Sequence, residues 1–426
     1  MTLRATIATL LAAVLALASS RDAAAQAPEA TPGVLAAWSQ ISIADSLLVR
    51  AVTAAAECPR LAVDGVAQPM GVRARPSPAF PITVCEALVP RSSTAVAVDD
   101  AAVPTTRRFP ERIVVIGDTG CRLRAEDGQA CNDAEQWPFA RIAARAAALR
   151  PDLVIHTGNF FGRASPCPRD NAGCADSPNG DTWDSWRADV FAPAAPLLAA
   201  APWLVVRGWS EACGRAADGW FRLLDPHPRS RGCLRFTEPY VASFGPWQIA
   251  AIDAAEARER DAPAELVAEY SRQIAGLGAA NFVTAWMVSH WPFWAAAADG
   301  DIGGGASSLR SVNATLQASA RSLPDGIGVV LSGHYQAIQA LSFGDRRPAT
   351  IVAGNGGSAF VHPAGPVAVG DVVDGLPVRA ALSIERRHGF TLIERDGEAW
   401  KIAFLDFDGA VLGRCRLQRR TLDCAT

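Results

Sequence analysis

The sequence predicts an α/β fold preceded by a small β-sandwich, on three observations. From Ile113 onward, short runs of consecutive apolar residues alternate with stretches of helical apolar spacing, as in strands buried on both faces and covered by helices. Five of those strands end in Gly, Asp, Asn or His, as strands do when they present ligands at one sheet edge. Before residue 108, in contrast, short and partly alternating segments are punctuated by Pro and Gly.

In chain order, residues 1–25 read as a signal peptide: a positive start over Met1–Arg4, an apolar run from Ala5 to Ser20, and Ala23-Ala24-Ala25 as a small-residue cleavage site. A retained signal anchor is the alternative. No later stretch reaches 18 uninterrupted apolar residues, so the mature chain is expected to lack a membrane anchor. The basic residues are 39 Arg and a single Lys (Lys401), in an Ala-rich chain with a net charge of -3. That balance speaks against non-specific nucleic-acid or membrane binding. It reads as the codon bias of a GC-rich bacterial genome, and with export it implies a periplasmic or secreted protein.

Ten cysteines in an exported chain form an even set, and proximity pairs Cys58 with Cys85, Cys121 with Cys131, Cys167 with Cys174, Cys213 with Cys233 and Cys415 with Cys424. Sequence alone does not fix connectivity. A metal cluster is the competing reading, but no C-x-x-C pair or His-Cys spacing supports it.

Residues 34–108 are assigned to the small β-sandwich, with strands near Ser46–Val52, Met70–Ala74, Ile82–Cys85 and Thr94–Val98. The region has no His and receives no chemistry. Val103–Pro110 is the linker to a second domain spanning 112–426. There, Arg112-Ile-Val-Val-Ile-Gly117-Asp118-Thr-Gly120 is a buried strand and a small-residue turn that leaves Asp118 facing a crevice. A helix over Glu135–Leu149 follows, stopped by Pro151. The strand Leu153–His156 ends in Thr157-Gly158-Asn159. A polar insertion (163–181) and a helix near Trp183–Leu198 lead to the strand Trp203–Arg207, ending in Gly208-Trp209-Ser210-Glu211. Strands at Gln248–Ile252, Thr284–Ser289 and Gly328–Leu331 complete the series, the last two ending at His290 and Gly333-His334. Ligands converging from separate strand ends are what a metal or phosphate site requires.

Over Arg112–Asn355 the sequence resembles the calcineurin-like metallophosphoesterases, most closely their purple-acid-phosphatase-like secreted branch. The resemblance rests on Gly117-Asp-Thr-Gly120, Leu153-Val-Ile-His-Thr-Gly158, Pro202-Trp-Leu-Val-Val-Arg-Gly208, Val288-Ser-His290, Leu331-Ser-Gly-His334 and the Gly354-Asn-Gly-Gly357 turn. It implies a four-layer α/β sandwich and a centre in which two metals, about 3.5 Å apart, clamp a phosphate ester. By resemblance, Asp118 holds one metal and His290 and His334 the other. The remaining family positions are degenerate. Asn159 stands for the bridging Asp and Gly162 for the Tyr ligand. Trp209 stands for the Asn ligand, Ser210 for the His that assists the leaving group, and Gln336 for the second His of the last block.

Losing the bridging carboxylate leaves the repulsion between two dications poorly offset. The expectation is therefore an exported protein of phosphoric ester hydrolase fold with a disabled di-metal centre, a pseudoenzyme by ligand loss that still takes a phosphate-ester ligand. The alternatives are a mononuclear phosphatase or phosphodiesterase in which Asp118, Asn159, His290 and His334 hold one divalent ion (Fe, Mn or Zn), and a non-catalytic binding or scaffolding protein, with protein partners left open. The ordinary reading of Asp118 is a capped turn, and of the two histidines a hydrogen bond to backbone at a strand end. His156 reads as a core residue. Glu211 keeps an acidic position that supports its neighbours, and His227, His362 and His388 lie outside the matched blocks. The Asp299-Gly-Asp301 and Gly303–Gly305 run reads as a mobile loop that lacks the acids of a calcium loop.

Overall fold

A computed structural model describes residues 33–43, 46–230, 232–280, 284–298, 309–344, 347–361 and 365–425. The expected signal peptide, the Asp299–Gly305 run and His362 lie outside them.

Two large mixed sheets face each other. The first has 11 strands. At its centre Arg112–Ile116, Leu153–His156 and Trp203–Val205 run parallel, each residue of the middle strand paired in register with its neighbours. The second has seven strands, with Trp247–Ala251, Thr284–Val288, Ile327–Ser332 and Ala349–Ala353 parallel at its centre. Strand alternation divides the apolar residues between two cores. Ile113, Val115, Leu153 and Ile155 point inward, to Ile249, Trp286, Val288, Val329 and Leu331 of the other sheet. Val114, Ile116 and Val154 point outward and are covered by the helix Phe139–Ala148 through Phe139, Ile142, Ala143 and Ala146. The helix Ala264–Leu277 covers the outer face of the second sheet through Leu266, Tyr270, Ile274 and Leu277, against Ala250 and Met287.

Several expected elements change their bounds. The first helix starts at Phe139 rather than Glu135, because Pro138 takes the N-cap position. The single helix expected over 183–198 is broken into Trp183–Trp186, a wide π turn Arg187–Phe191 and Ala195–Leu198. Pro193 and Pro196 withhold the backbone donors that a continuous helix needs.

The segment 34–108 is not set apart as expected. Val34–Ile41 lies beside Trp203–Val205, with Gln40 opposite Trp203 in parallel pairing. It carries Leu47–Thr53, Thr83–Val89 and Gly71–Ala74 into the first sheet as its last four strands. A four-stranded sheet (Val66–Gln68, Leu61–Val63, Val96–Val98, Ala101–Val103) packs on this extension around Leu47, Val49, Leu61, Val98 and Val103. The strands on which this four-stranded sheet packs are thus the end of the large sheet. At the other end, Gly389–Asp396, Ala399–Asp406, Val411–Gln418 and Thr421–Ala425 form an antiparallel meander docked on Arg112–Ile116. All five disulfides join the cysteines that proximity paired.

Candidate functional site

The carboxyl ends of the central strands of both sheets open onto one cleft with a cavity volume of about 220 Å³. Asp118, Asn159, Gly162, Trp209, Ser210, His334 and Gln336 all line it. His290 lies fully buried just behind them. Sequence reasoning placed these residues at strand ends, and the sheets bring them together.

The turns that deliver them are tight. Asp118, Asn159 and His334 adopt left-handed φ values of 54°, 56° and 71°. Such conformations cost free energy for non-glycine residues, and the surrounding structure must hold them. Glycine permits the close approach of the second and third turns. A Cβ at Gly208 would fall 2.1 Å from the Asn159 nitrogen, and one at Gly158 would fall 2.8 Å from His290 Nδ1.

Glu211 is the clamp. Fully buried, it accepts hydrogen bonds from the backbone N–H groups of Asn159 (3.1 Å), Phe161 (2.9 Å) and Gly208 (2.9 Å). Burial raises its carboxyl to about 7, against the pull of those donors. The sequence marked Glu211 as a supporting acid, and the structure makes it the link between two of the strand-end turns. Asp189 does similar work from the π turn Arg187–Phe191, accepting from Gly162 N–H (2.7 Å) and Cys121 N–H (3.1 Å) while paired with the buried Arg163 at 2.7 Å.

The candidate ligands are committed to one another. Asn159 Oδ1 accepts from Ser210 N–H at 2.9 Å, which turns its NH₂ toward Asp118, where Nδ2 donates to Oδ1 at 2.8 Å. The other Asp118 oxygen accepts from His334 N–H at 2.7 Å, and the Gln336 side chain also bonds this carboxylate. Burial raises the Asp118 carboxyl to about 7, opposed by the Asn159 and His334 donors.

His290 Nδ1 lies 2.8 Å from the Thr157 carbonyl, which can only accept, so Nδ1 carries the proton. Burial lowers the imidazole to about 4, which keeps it neutral, and its lone pair sits on Nε2. His334 Nδ1 lies 3.3 Å from that Nε2 and donates to it only in the tautomer that carries the proton on Nδ1. Trp291 stacks on His334 with ring centroids 3.4 Å apart.

A divalent ion needs oxygen and imidazole lone pairs converging on one point. Here both Asp118 oxygens accept from protein donors, and the Asn159 amide presents N–H where a cation needs an acceptor. Among the described residues, no group of three or more His, Cys, Asp or Glu is placed to hold a metal. The residues present do not fit a metal centre as they are arranged.

His156 is buried against Phe160 (centroids 3.6 Å apart) and bonded to Thr119 Oγ1, as a core histidine. His227 pairs with Asp225 at 2.8 Å and lies away from the cleft. No residue pattern foretells the basic mouth. Arg122 and Arg124 line the cleft from the short hairpin Leu123–Arg124/Asp127–Gly128, which the Cys121–Cys131 disulfide closes. Arg215 lies flat on the Trp209 ring, its Cζ 3.2 Å from the centroid, and Arg124 lies 5.7 Å from the same ring. Lone arginines in loops have no spacing that reveals them.

No family model matches the sequence, and no curated protein matches it. Solved structures do match in fold. The chain is similar to a purple acid phosphatase (PPD1) from seeds of yellow lupin, Lupinus luteus, at 11% identity and a TM-score of 0.57, over 91% of this chain and 74% of that one. It is also similar to PhoD, at 12% identity and a TM-score of 0.54, over 92% of this chain and 91% of that one.

Proposed function

Because the chain carries the metallophosphoesterase fold, we propose that it is an exported protein of that fold whose cleft binds a phosphate ester without a di-metal centre. One observation carries the proposal: the Asn159 amide, oriented by Ser210 N–H, donates to Asp118 at the position where the family has a bridging carboxylate. The division of the apolar residues between inner and outer cores supports the four-layer arrangement that goes with the family. Export is supported by five disulfides with no free cysteine among the described residues, and by the amino-terminal signal-like sequence. Among the described residues, no helix is long and apolar enough to cross a membrane.

Elemental analysis of protein purified without chelator tests this reading, alongside calorimetric titration with phenyl phosphate. The expected result is less than a tenth of an equivalent of any divalent metal, by the order-of-magnitude affinity loss per missing ligand, together with saturable binding of the ester. Stoichiometric Fe, Mn or Zn with ester turnover that Asp118→Ala abolishes would overturn the proposal in favour of a mononuclear hydrolase. A metal-free protein that binds no phosphate ester would leave a scaffolding role.

A further inference from the structure

The floor of the cleft repels what its mouth attracts. At the floor lies the Asp118 carboxyl, with no Arg or Lys paired to it among the described residues. At the mouth Arg122, Arg124 and Arg215 crowd together, and mutual repulsion joins burial in lowering the Arg124 guanidinium from its ordinary value. Arg122 is paired with Asp127 at 2.9 Å. Neither the half-buried Arg124 nor the exposed Arg215 forms an ion pair among the described residues, although the Glu256 charge acts on Arg215. Two disulfides hold the cluster: Cys121–Cys131 closes the hairpin bearing Arg122 and Arg124, and Cys213–Cys233 fastens the segment bearing Arg215. Phe161, Trp209 and Trp291 line the cleft, as does Glu259, which accepts from the Tyr335 hydroxyl at 2.6 Å. Trp291 is buried, and its indole N–H has no hydrogen-bond partner. That nitrogen is itself buried, so Trp291 meets the cleft through its ring carbons.

We propose that the cleft takes its ligand reversed with respect to a metal-centred site: a phosphate monoester of a planar aromatic group, with its phosphoryl oxygens on Arg124, Arg122 and Arg215 at the mouth. The aromatic body lies between Trp209, Trp291 and Phe161. This rests on the reading of the cleft as a phosphate-ester site and adds the pose and the ligand class. Guanidinium forks suit phosphate oxygens, and tryptophan faces supply sequence-independent stacking area for a planar group.

The test is calorimetric titration of the full-length protein with phenyl phosphate and with inorganic phosphate. Phenyl phosphate is expected to bind at least about tenfold more tightly than inorganic phosphate, from ring burial. Arg124→Ala and, independently, Arg215→Ala should each weaken phenyl phosphate about tenfold or more, the usual worth of a charge-assisted hydrogen bond. Asn159→Asp, which adds an acid at the floor, should weaken it less than about threefold, because solvent-side charges at the mouth are remote from it. Trp291→Phe should narrow the preference for phenyl phosphate over inorganic phosphate. Thermal melts confirm that each variant is folded.

Loss with Asn159→Asp but not with either arginine variant would put the phosphate on the floor. That result overturns the reversed pose and leaves the phosphate-ester reading intact. Equal affinity for the two probes would overturn the aromatic ligand class. Absence of binding by either probe removes both the pose and the reading on which it rests.

Discussion

At the scale of single residues, the site turns on one amide. Asn159 keeps the left-handed turn and the hydrogen bonds of its neighbourhood while exchanging an acceptor for a donor. Asn159→Asp should therefore behave differently with and without metal. Without divalent ions it sets a second carboxyl against Asp118 in a buried setting, and stability should fall by about 1–3 kcal/mol. With millimolar Mn²⁺ or Zn²⁺ the variant should recover part of that loss, while the wild-type melting temperature stays unmoved. Paired thermal melts check this, and a wild-type protein stabilised by the same ions would refute it. The sequence exposed the identities of Asp118, Asn159, His290 and His334 because each follows an apolar strand and sits among small residues. It could not show which way the Asn159 amide faces or which His290 nitrogen carries the proton. Those facts depend on Ser210 N–H and the Thr157 carbonyl, backbone groups that no residue pattern encodes.

At the scale of elements, the strand-end turns are fastened by groups from other segments. The segment before Gly389–Asp396 is an example: Gly389 N–H bonds the Asn355 carbonyl, and His388 stacks on Phe360 with centroids 4.1 Å apart. Burial lowers the His388 imidazole to about 4, against about 6.5 in an unfolded chain. As pH falls, the unfolded state takes up this proton first. The stability that neutral His388 allows is thus full above about pH 6.5 and drains away between about pH 6.5 and about pH 4. At about 1.4 kcal/mol per pH unit the loss approaches ~3 kcal/mol. His388→Phe keeps the stack and removes the titration, so the fall of the urea midpoint across this window should become shallower by that order. An unchanged profile would exclude the histidine as its source.

The same scale shows how reading by pattern succeeds and fails. Strand identities were legible because Leu153–His156 and its neighbours are continuous apolar runs. The helix expected over 183–198 was not delivered, because its apolar spacing ignored Pro193 and Pro196. The cysteine pairs were legible because each closes a short local loop.

For the whole molecule, the decisive contacts tie the amino-terminal strands to the cleft-bearing core. Arg73 donates to the carbonyls of Phe221, Arg222, Asp225 and His227, and Arg50 to those of Leu223 and Asp225, while both pair with Glu86. Together they cap the helix Ala217–Leu223, whose last carbonyls would otherwise lack donors. Arg73→Ala should cost about 3–5 kcal/mol, the usual loss when one partner of a buried ionic network is removed. A fragment beginning at residue 106 should yield no cooperative unfolding transition. A folded fragment with a sharp melt would show that the two parts are separable after all. The sequence suggested separability, since the composition shift near Val103–Pro110 resembles a linker. It could not show that Gln40 sits beside Trp203, because pairing between distant strands leaves no local trace.

That pairing also sets an order in time. During synthesis Val34–Ile41 emerges about 160 residues before its parallel neighbour. At roughly 5–20 residues per second this is a wait on the order of ten seconds or more. Through that interval an apolar edge strand stands without its partner, the condition in which chains aggregate. The molecule's yield, more than its final stability, should therefore depend on what shelters residues 34–53 until Trp203 appears.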